Sequence, residues 1–222
     1  MKLSKRLLTI ASMIPQGIPC ADIGSDHGLL VEYLLKNKLV PSAYASDNKK
    51  GPFSRLNENL KKYIDLGLVE TNLSDGLDNL PCKYKTVVIA GMGGELIGEI
   101  ISKNINLLEN IEYLLLAPHG KEEEIRNLLV NHGFRIKDEN VIFEGHFYEI
   151  MLFEKGSQNY SEFELKYGPI NLMKKDQNFI NKYQTRINSN KEILVNPHLT
   201  NERKQEVKSL IEEDIYLLNS LK

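Results

Sequence analysis

The sequence predicts an α/β fold: a largely parallel sheet covered by helices on both faces, closed by a hairpin and followed by a helical tail. Three observations carry that prediction. Short apolar runs alternate with helical segments between residues 18 and 133. Several runs end in glycine or aspartate, where a parallel strand delivers its carboxyl end. Beyond Gly156 the alternation stops and apolar residues take helical spacing only. Strands separated by helices need crossover connections, and those crossovers bury both faces of a parallel sheet.

The elements follow in order. Leu3, Leu7, Ile10 and Ile14 recur at helical spacing behind Ser4. The start therefore reads as an amphipathic helix with a serine cap rather than a signal peptide. Residues 18–23 form a strand, 28–37 a helix and 42–46 a second strand ending at Asp47. Residues 52–66 place Phe53, Leu56, Leu60 and Ile64 on one helical face. Strands at 68–73 and 85–90 follow, then a helix at 96–102 and a fifth strand at 113–117, ended by Pro118. A helix at 122–132 closes at Gly133, a natural C′ residue. Residues 134–143 and 148–154 form a hairpin around Glu144-Gly145-His146, which adds an antiparallel strand at one edge.

In the tail, Met173, Ile180, Ile187 and Leu194 repeat every seven residues, and Leu172, Phe179 and Tyr183 widen the stripe. Asn196-Pro197 breaks it, and Val207, Leu210, Ile211, Leu218 and Leu221 mark a second helix. The pair predicts a short antiparallel coiled-coil hairpin. The expected division is residues 1–156 and residues 157–222.

Composition bounds the function. At 222 residues and 41% hydrophobic content the chain can bury a full core. A net charge of −2 carries no global nucleic-acid signature and leaves only local basic patches. Lys166, Lys174, Lys175, Lys182 and Arg186 are the candidates for such a face on the first tail helix, against the plainer reading of a solvated surface. Cys20 and Cys82 form no CxxC, as suits reduced thiols in a cytoplasmic protein. No metal-ligand spacing and no membrane span are present in the sequence, and a monomer is the expected state.

The chemistry lies at the strand ends. The first strand runs into Ala21-Asp22-Ile23-Gly24-Ser25-Asp26-His27-Gly28. Gly24 allows a tight turn and Gly28 a close helix start, as at nucleotide-shaped cofactor sites. The middle glycine that admits a pyrophosphate is here Asp26, whose charge repels phosphate and favours a cationic cofactor such as S-adenosylmethionine. Asp47-Asn48 ends the second strand, where an acidic residue can bind a ribose diol; an N-cap aspartate is the plainer alternative. Asp75-Gly76 follows the third strand, beside the expected adenine position. The fourth ends in Ala90-Gly91-Met92-Gly93-Gly94, a costly glycine density unless backbone must face a ligand. His119 occupies the matching loop after the fifth strand.

These motifs closely resemble the bacterial tRNA (adenine-22-N1)-methyltransferases of the TrmK type. The resemblance rests on Leu3-Ser4-Lys5-Arg6-Leu7, residues 21–27, Ile89-Ala90-Gly91-Met92-Gly93-Gly94 and Tyr148-Glu149, and it spans essentially the whole chain. The chain departs from the family's usual Gln-Pro-Asn at Ala117-Pro118-His119. The resemblance implies a class I, Rossmann-like methyltransferase domain, a coiled-coil tail, S-adenosylmethionine as cofactor and tRNA as partner. By motif match it assigns cofactor contacts to Asp22, Gly24, Asp26, His27, Asp47, Asn48, Asp75, Gly76, Ala90, Gly91 and Met92. Asp26 and His27 are the candidate catalytic residues, Asp26 by stabilising positive charge as it moves to the base. Phe147 and Tyr148 are candidates for holding an unstacked adenine, against ordinary core aromatics, and His119 for a substrate contact, against a plain loop histidine. The alternatives are methylation of another RNA position or of a small molecule, and a non-catalytic S-adenosylmethionine-binding module.

Overall fold

A computed structural model describes residues 3–222. Its strands are β1 (Cys20–Ile23), β2 (Ala43–Asp47), β3 (Val69–Leu73), β4 (Thr86–Gly93), β5 (Tyr113–His119), β6 (Phe134–Glu144) and β7 (His146–Lys155). They form one seven-stranded sheet in the order β3-β2-β1-β4-β5-β7-β6. The first five strands pair in parallel, and β7 runs antiparallel to both β5 and β6.

Two apolar layers sandwich the sheet. Helices α1 (Lys5–Met13), α2 (Leu29–Lys36) and α3 (Lys50–Asp65) cover one face, burying Ile10, Leu34, Leu56 and Leu60 against Val88, Leu115 and Ile150. Helices α4 (Gly94–Lys103) and α5 (Glu122–Asn131) cover the other, with Ile97, Ile101 and Leu129 against Val87, Ile89, Leu114 and Phe153. Alternate residues of each strand thus serve opposite layers, the period of two that the pleat imposes. Ser4 caps α1 by accepting from the Leu7 N–H at 3.2 Å, as its sequence position predicts.

The hairpin departs from expectation. Its antiparallel strand is not the edge strand: β7 inserts between β5 and β6, and β6 takes the edge. The reason is visible in the residues. Glu149 to Phe153 are buried on both faces, as an interior strand requires, whereas Arg135 and Lys137 alternate outward along β6 and suit an exposed border. Pro118 does not end β5. It lies inside the strand, where the β4–β5 register shifts between Ala90 and Gly93, so its missing N–H falls at an irregularity.

The tail also departs. The first tail helix is three helices, α6 (Glu162–Tyr167), α7 (Pro169–Lys174) and α8 (Gln177–Leu194), followed by α9 (Asn201–Ser220). Gly168, at φ +89°, turns the chain between α6 and α7, and left-handed Lys175 separates α7 from α8. Asp176 caps α8 by accepting from the Asn178 N–H at 3.0 Å. Met173 is therefore out of phase with the hairpin and 71% exposed. The packed face of α8 is Phe179, Tyr183 and Ile187, which meets Val207, Ile211 and Leu217 of α9.

Candidate active site

The carboxyl ends of β1, β2 and β4 open onto a cavity of about 430 Å³, a size that takes small polar ligands. Gly24, Asp26, Asp47, Asn48, Asp75, Gly76, Ala90, Gly91 and Met92 all line it. Topology explains the convergence. The order β3-β2-β1-β4 reverses direction of progression at β1, and the crevice at such a reversal lies outside the carboxyl ends of the strands.

The first turn is held by backbone. The Gly24 and Ser25 N–H groups both donate to the Ser46 carbonyl at 2.9 Å. Gly24 has φ +71°, and a Cβ there would stand 2.1 Å from the Met92 Cε. Glycine is therefore required both by conformation and by the approach of the β4 loop. Asp26 holds φ +46°, which disfavours most L-residues, and its exposed carboxylate lies 3.6 Å from His27. A non-glycine residue kept left-handed at a cavity rim is a mark of functional sites.

Two of the expected cofactor contacts lie outside the lining. Asp22 is buried beneath the turn and accepts a hydrogen bond from the Ser25 hydroxyl at 2.6 Å. Burial pushes its carboxyl up to about 6, against the opposing pull of the Ser25 hydroxyl. His27 stands beside Asp26 rather than in the lining, and its carbonyl accepts from the Asn59 amide. At the end of β2, Asp47 spends one oxygen on the Lys49 N–H at 2.8 Å. Asn48 donates to Asp75 at 3.3 Å, tying the ends of β2 and β3 together.

The charges decide what the cavity accepts. Three carboxylates, Asp26, Asp47 and Asp75, line it with one lysine, Lys49. That set repels a pyrophosphate and suits a ligand with an ammonium, a sulfonium and a sugar diol. Ile23, Pro52, Leu96 and Ile100 supply apolar walls for a flat ring. The residues present thus fit S-adenosylmethionine. Among the described residues no His, Cys, Asp and Glu group has metal-holding geometry.

Beside the cavity lies a second feature of the same edge. Because β7 is antiparallel, its first residues sit at the carboxyl ends of β4 and β5, and β5 pairs His119 with Gly93. His119, His146 and Tyr148 form a ring cluster, with centroids 5.3 Å apart for His119–Tyr148 and 4.3 Å for His146–Tyr148. Phe147 is not part of it. The pleat turns it to the opposite face, where it packs on Phe143 and against the Tyr167–Phe179 cluster of the tail.

The five tail cations weighed as a basic face each have a partner within the chain. Lys166 pairs with Glu213 and Lys174 with Asp138, both at 2.6 Å. Lys182 pairs with Glu149 at 2.6 Å and with Glu122, and Arg186 lies 2.7 Å from Asp214. Lys175 donates to the Leu221 carbonyl at 2.9 Å. Lys182 is thereby part of the fold's interior, whereas Lys174 and Lys175 stay exposed. The exposed cations Lys49, Lys50 and Arg55, at the start of α3, have no ion-pair partner among the described residues. Sequence reasoning assigned no site role to Ser25, Lys49, Arg6 or His146; Arg6 and Ser25 carried a signal, as parts of the Leu3–Leu7 and 21–27 matches.

Comparison with known proteins places this geometry. A family model described as a methyltransferase domain matches residues 3–151. The tRNA (adenine(22)-N(1))-methyltransferase of Bacillus subtilis is 34% identical over 161 residues, 72% of this chain and 68% of that protein. Streptococcus pneumoniae Sp1610, solved in complex with S-adenosyl-L-methionine, superposes with a TM-score of 0.89 at 30% identity, over 98% of this chain and 100% of that one. TrmK of M. capricolum, solved with S-adenosyl-homocysteine, superposes with a TM-score of 0.88 at 26% identity, over all of both chains.

Proposed function

We infer that this chain, which belongs to the family of the tRNA (adenine(22)-N(1))-methyltransferases, transfers a methyl group from S-adenosylmethionine to N1 of adenine 22 in tRNA. The observation that carries this reading is the carboxylate-lined cavity at the ends of β1, β2 and β4, set beside an aromatic cluster on the same sheet edge. The first takes a cationic donor and the second a flat acceptor. Among the described residues no helix is long and apolar enough to cross a membrane; a tRNA substrate is the ground on which a cytoplasmic location is proposed.

Bound in the cavity, the cofactor supplies an electrophilic methyl group, which the adenine N1 lone pair takes as the carbon–sulfur bond breaks and its electrons pass to sulfur. The chain's own residues prepare that event. Asp47 binds the sugar diol, and the Asn48–Asp75 pair borders the ring pocket. Gly24 and Met92 bring the β1 and β4 loops close enough to exclude water from the reacting end. N1 of neutral adenine needs no general base, so alignment of donor and acceptor is the main requirement. Positive charge moves from sulfur to the base, and the Asp26 carboxylate stabilises it there. His27 positions that carboxylate. Tyr148 and His119 offer ring faces to the extruded base. The cations Lys49, Lys50 and Arg55, which form no ion pair among the described residues, attract the RNA backbone to this edge.

The test is methyl transfer from labelled S-adenosylmethionine to unmodified bulk tRNA, with mapping of the product. N1-methyladenine at position 22 is the expected result. Label at another nucleotide would move the reading to another RNA site. Cofactor binding without turnover on any tRNA would reduce the chain to a binding module.

A further inference from the structure

Arg6, the second residue of α1, has no role in the chemistry above, yet it stands at its centre. Its guanidinium lies 5.0 Å over the Tyr148 ring, and Nη1 would be 3.2 Å from a Cβ placed on Gly91 of the cavity lining. His146 stacks on the same Tyr148 ring at 4.3 Å and lies 5.8 Å from His119. Resting on the reading of the chain as a tRNA methyltransferase, we propose that Arg6, His119, His146 and Tyr148 together form the subsite for the extruded nucleotide. The rings take the base and Arg6 takes the adjoining phosphate.

Composition separates the two tasks. Three rings offer π faces for a base, and stacking on such faces tolerates the ring's later charge. A guanidinium beside N1 would oppose the cation that methylation creates, so Arg6 suits the phosphate rather than the base edge. Arg6 is available for that anion: it forms no ion pair among the described residues. The nearby Glu144 is committed elsewhere. Its carboxylate accepts from the Lys5 N–H at 2.8 Å and the Arg6 N–H at 3.4 Å, so it caps the start of α1 alongside Ser4. These bonds hold its carboxyl below the usual range. The same contacts tie α1 to the β6–β7 turn and so fix Arg6 above Tyr148 before substrate arrives, which lowers the ordering cost of binding. The His119 pKa is lowered by burial and by the nearby Arg6 and His146, which favours the neutral ring as a stacking partner.

The experiment compares Arg6→Ala, Arg6→Lys and His146→Ala in the full chain. S-adenosylmethionine affinity is measured by calorimetry, and tRNA kinetics are measured over a range of salt concentrations. Arg6→Ala should leave cofactor Kd within about twofold, raise KM for tRNA about tenfold and flatten the log–log salt slope by about one unit, the signature of one lost phosphate contact. Arg6→Lys should restore the slope but only part of the affinity, because the planar fork is lost. His146→Ala should lower kcat/KM severalfold with the slope unchanged. Should Arg6→Ala prove unstable, the Arg6→Lys slope and KM decide the matter. Unchanged tRNA kinetics in the Arg6 variants overturn the subsite, as does a loss of cofactor affinity that accounts for all lost turnover. A wild-type chain inert on tRNA overturns the function reading and the subsite with it; failure of the variants alone overturns only the subsite.

Discussion

Asp22 shows how a single carboxyl can report on the whole cavity. Buried under the first turn, it holds its proton up to about pH 6, well above the ordinary aspartate range. In the ligand-free chain its contribution to stability is therefore full below about pH 4 and is lost as pH rises through about 6. A cationic ligand in the cavity reverses that preference by favouring the carboxylate. Cofactor affinity should accordingly rise between pH 5 and pH 7, with proton release detectable by calorimetry in buffers of different ionisation enthalpy. Asp22→Asn should lower affinity about tenfold and flatten the pH profile; a variant that keeps the wild-type pH dependence sinks the assignment. At this scale much of the site was legible. Gly24, Asp26 and Asp75 follow strands, Asp47 ends one and Gly91 lies near the end of another, and strand ends can be read from apolar runs. Arg6 and His146 were not legible as site residues, because helical periodicity and a hairpin turn already account for them. Their meeting depends on β7 lying beside β5, a pairing no local pattern encodes.

Among the elements, β7 carries the largest electrostatic load. Glu149 takes the buried Arg126 guanidinium and Lys182, while Arg126 also donates to Glu139 at 2.7 Å and to the Leu165 and Lys166 carbonyls at the end of α6. Glu139 in turn accepts from the N–H groups of Ile170 and Asn171 at the start of α7. Burial alone would raise the Glu149 carboxyl, but Lys182 and Arg126 override it and hold it at about 2. Its stabilisation is present above the ordinary glutamate range and is lost as pH falls toward 2. Removing one member strands the others. Glu149→Gln should cost about 3–5 kcal/mol in urea unfolding, because it leaves buried cations uncompensated. Gly168→Ala should cost about 1–3 kcal/mol from its φ of +89° alone, and more because a Cβ would meet the Glu139 carboxylate at 2.6 Å and Arg126 at 2.8 Å. A neutral outcome for either substitution would remove the network from the fold's supports. The tail was misread at this scale for a related reason. The seven-residue count from Met173 to Leu194 runs across the Lys175–Asp176 break, since the break follows from a left-handed residue and a cap rather than from hydrophobicity.

For the molecule as a whole, residues 1–156 and 157–222 are best proposed as two architectural parts with one shared core. Val141 of β6 packs with Tyr167, Phe179, Tyr183 and Leu217, and the Arg126 network crosses the same boundary. A chain ending at residue 156 would expose these apolar groups and lose the Lys182 partner of Glu149. It should lose cooperative thermal unfolding and cofactor binding together, as seen by circular dichroism and calorimetry. A soluble, cofactor-binding fragment with the full chain's Tm would contradict this. The alternation of strands and helices made the sheet legible in outline, but charge composition cannot distinguish a lysine without an ion pair from one already paired, as Lys166 is with Glu213 and Lys182 with Glu149. One further consequence follows from β7. Its neighbouring residues Tyr148 and Glu149 face opposite layers, one toward the substrate edge and the other toward the tail. A one-residue slip past the Gly145 turn would exchange them. Length at that turn is therefore constrained twice over, so an inserted or deleted residue there would disturb the substrate edge and the tail together.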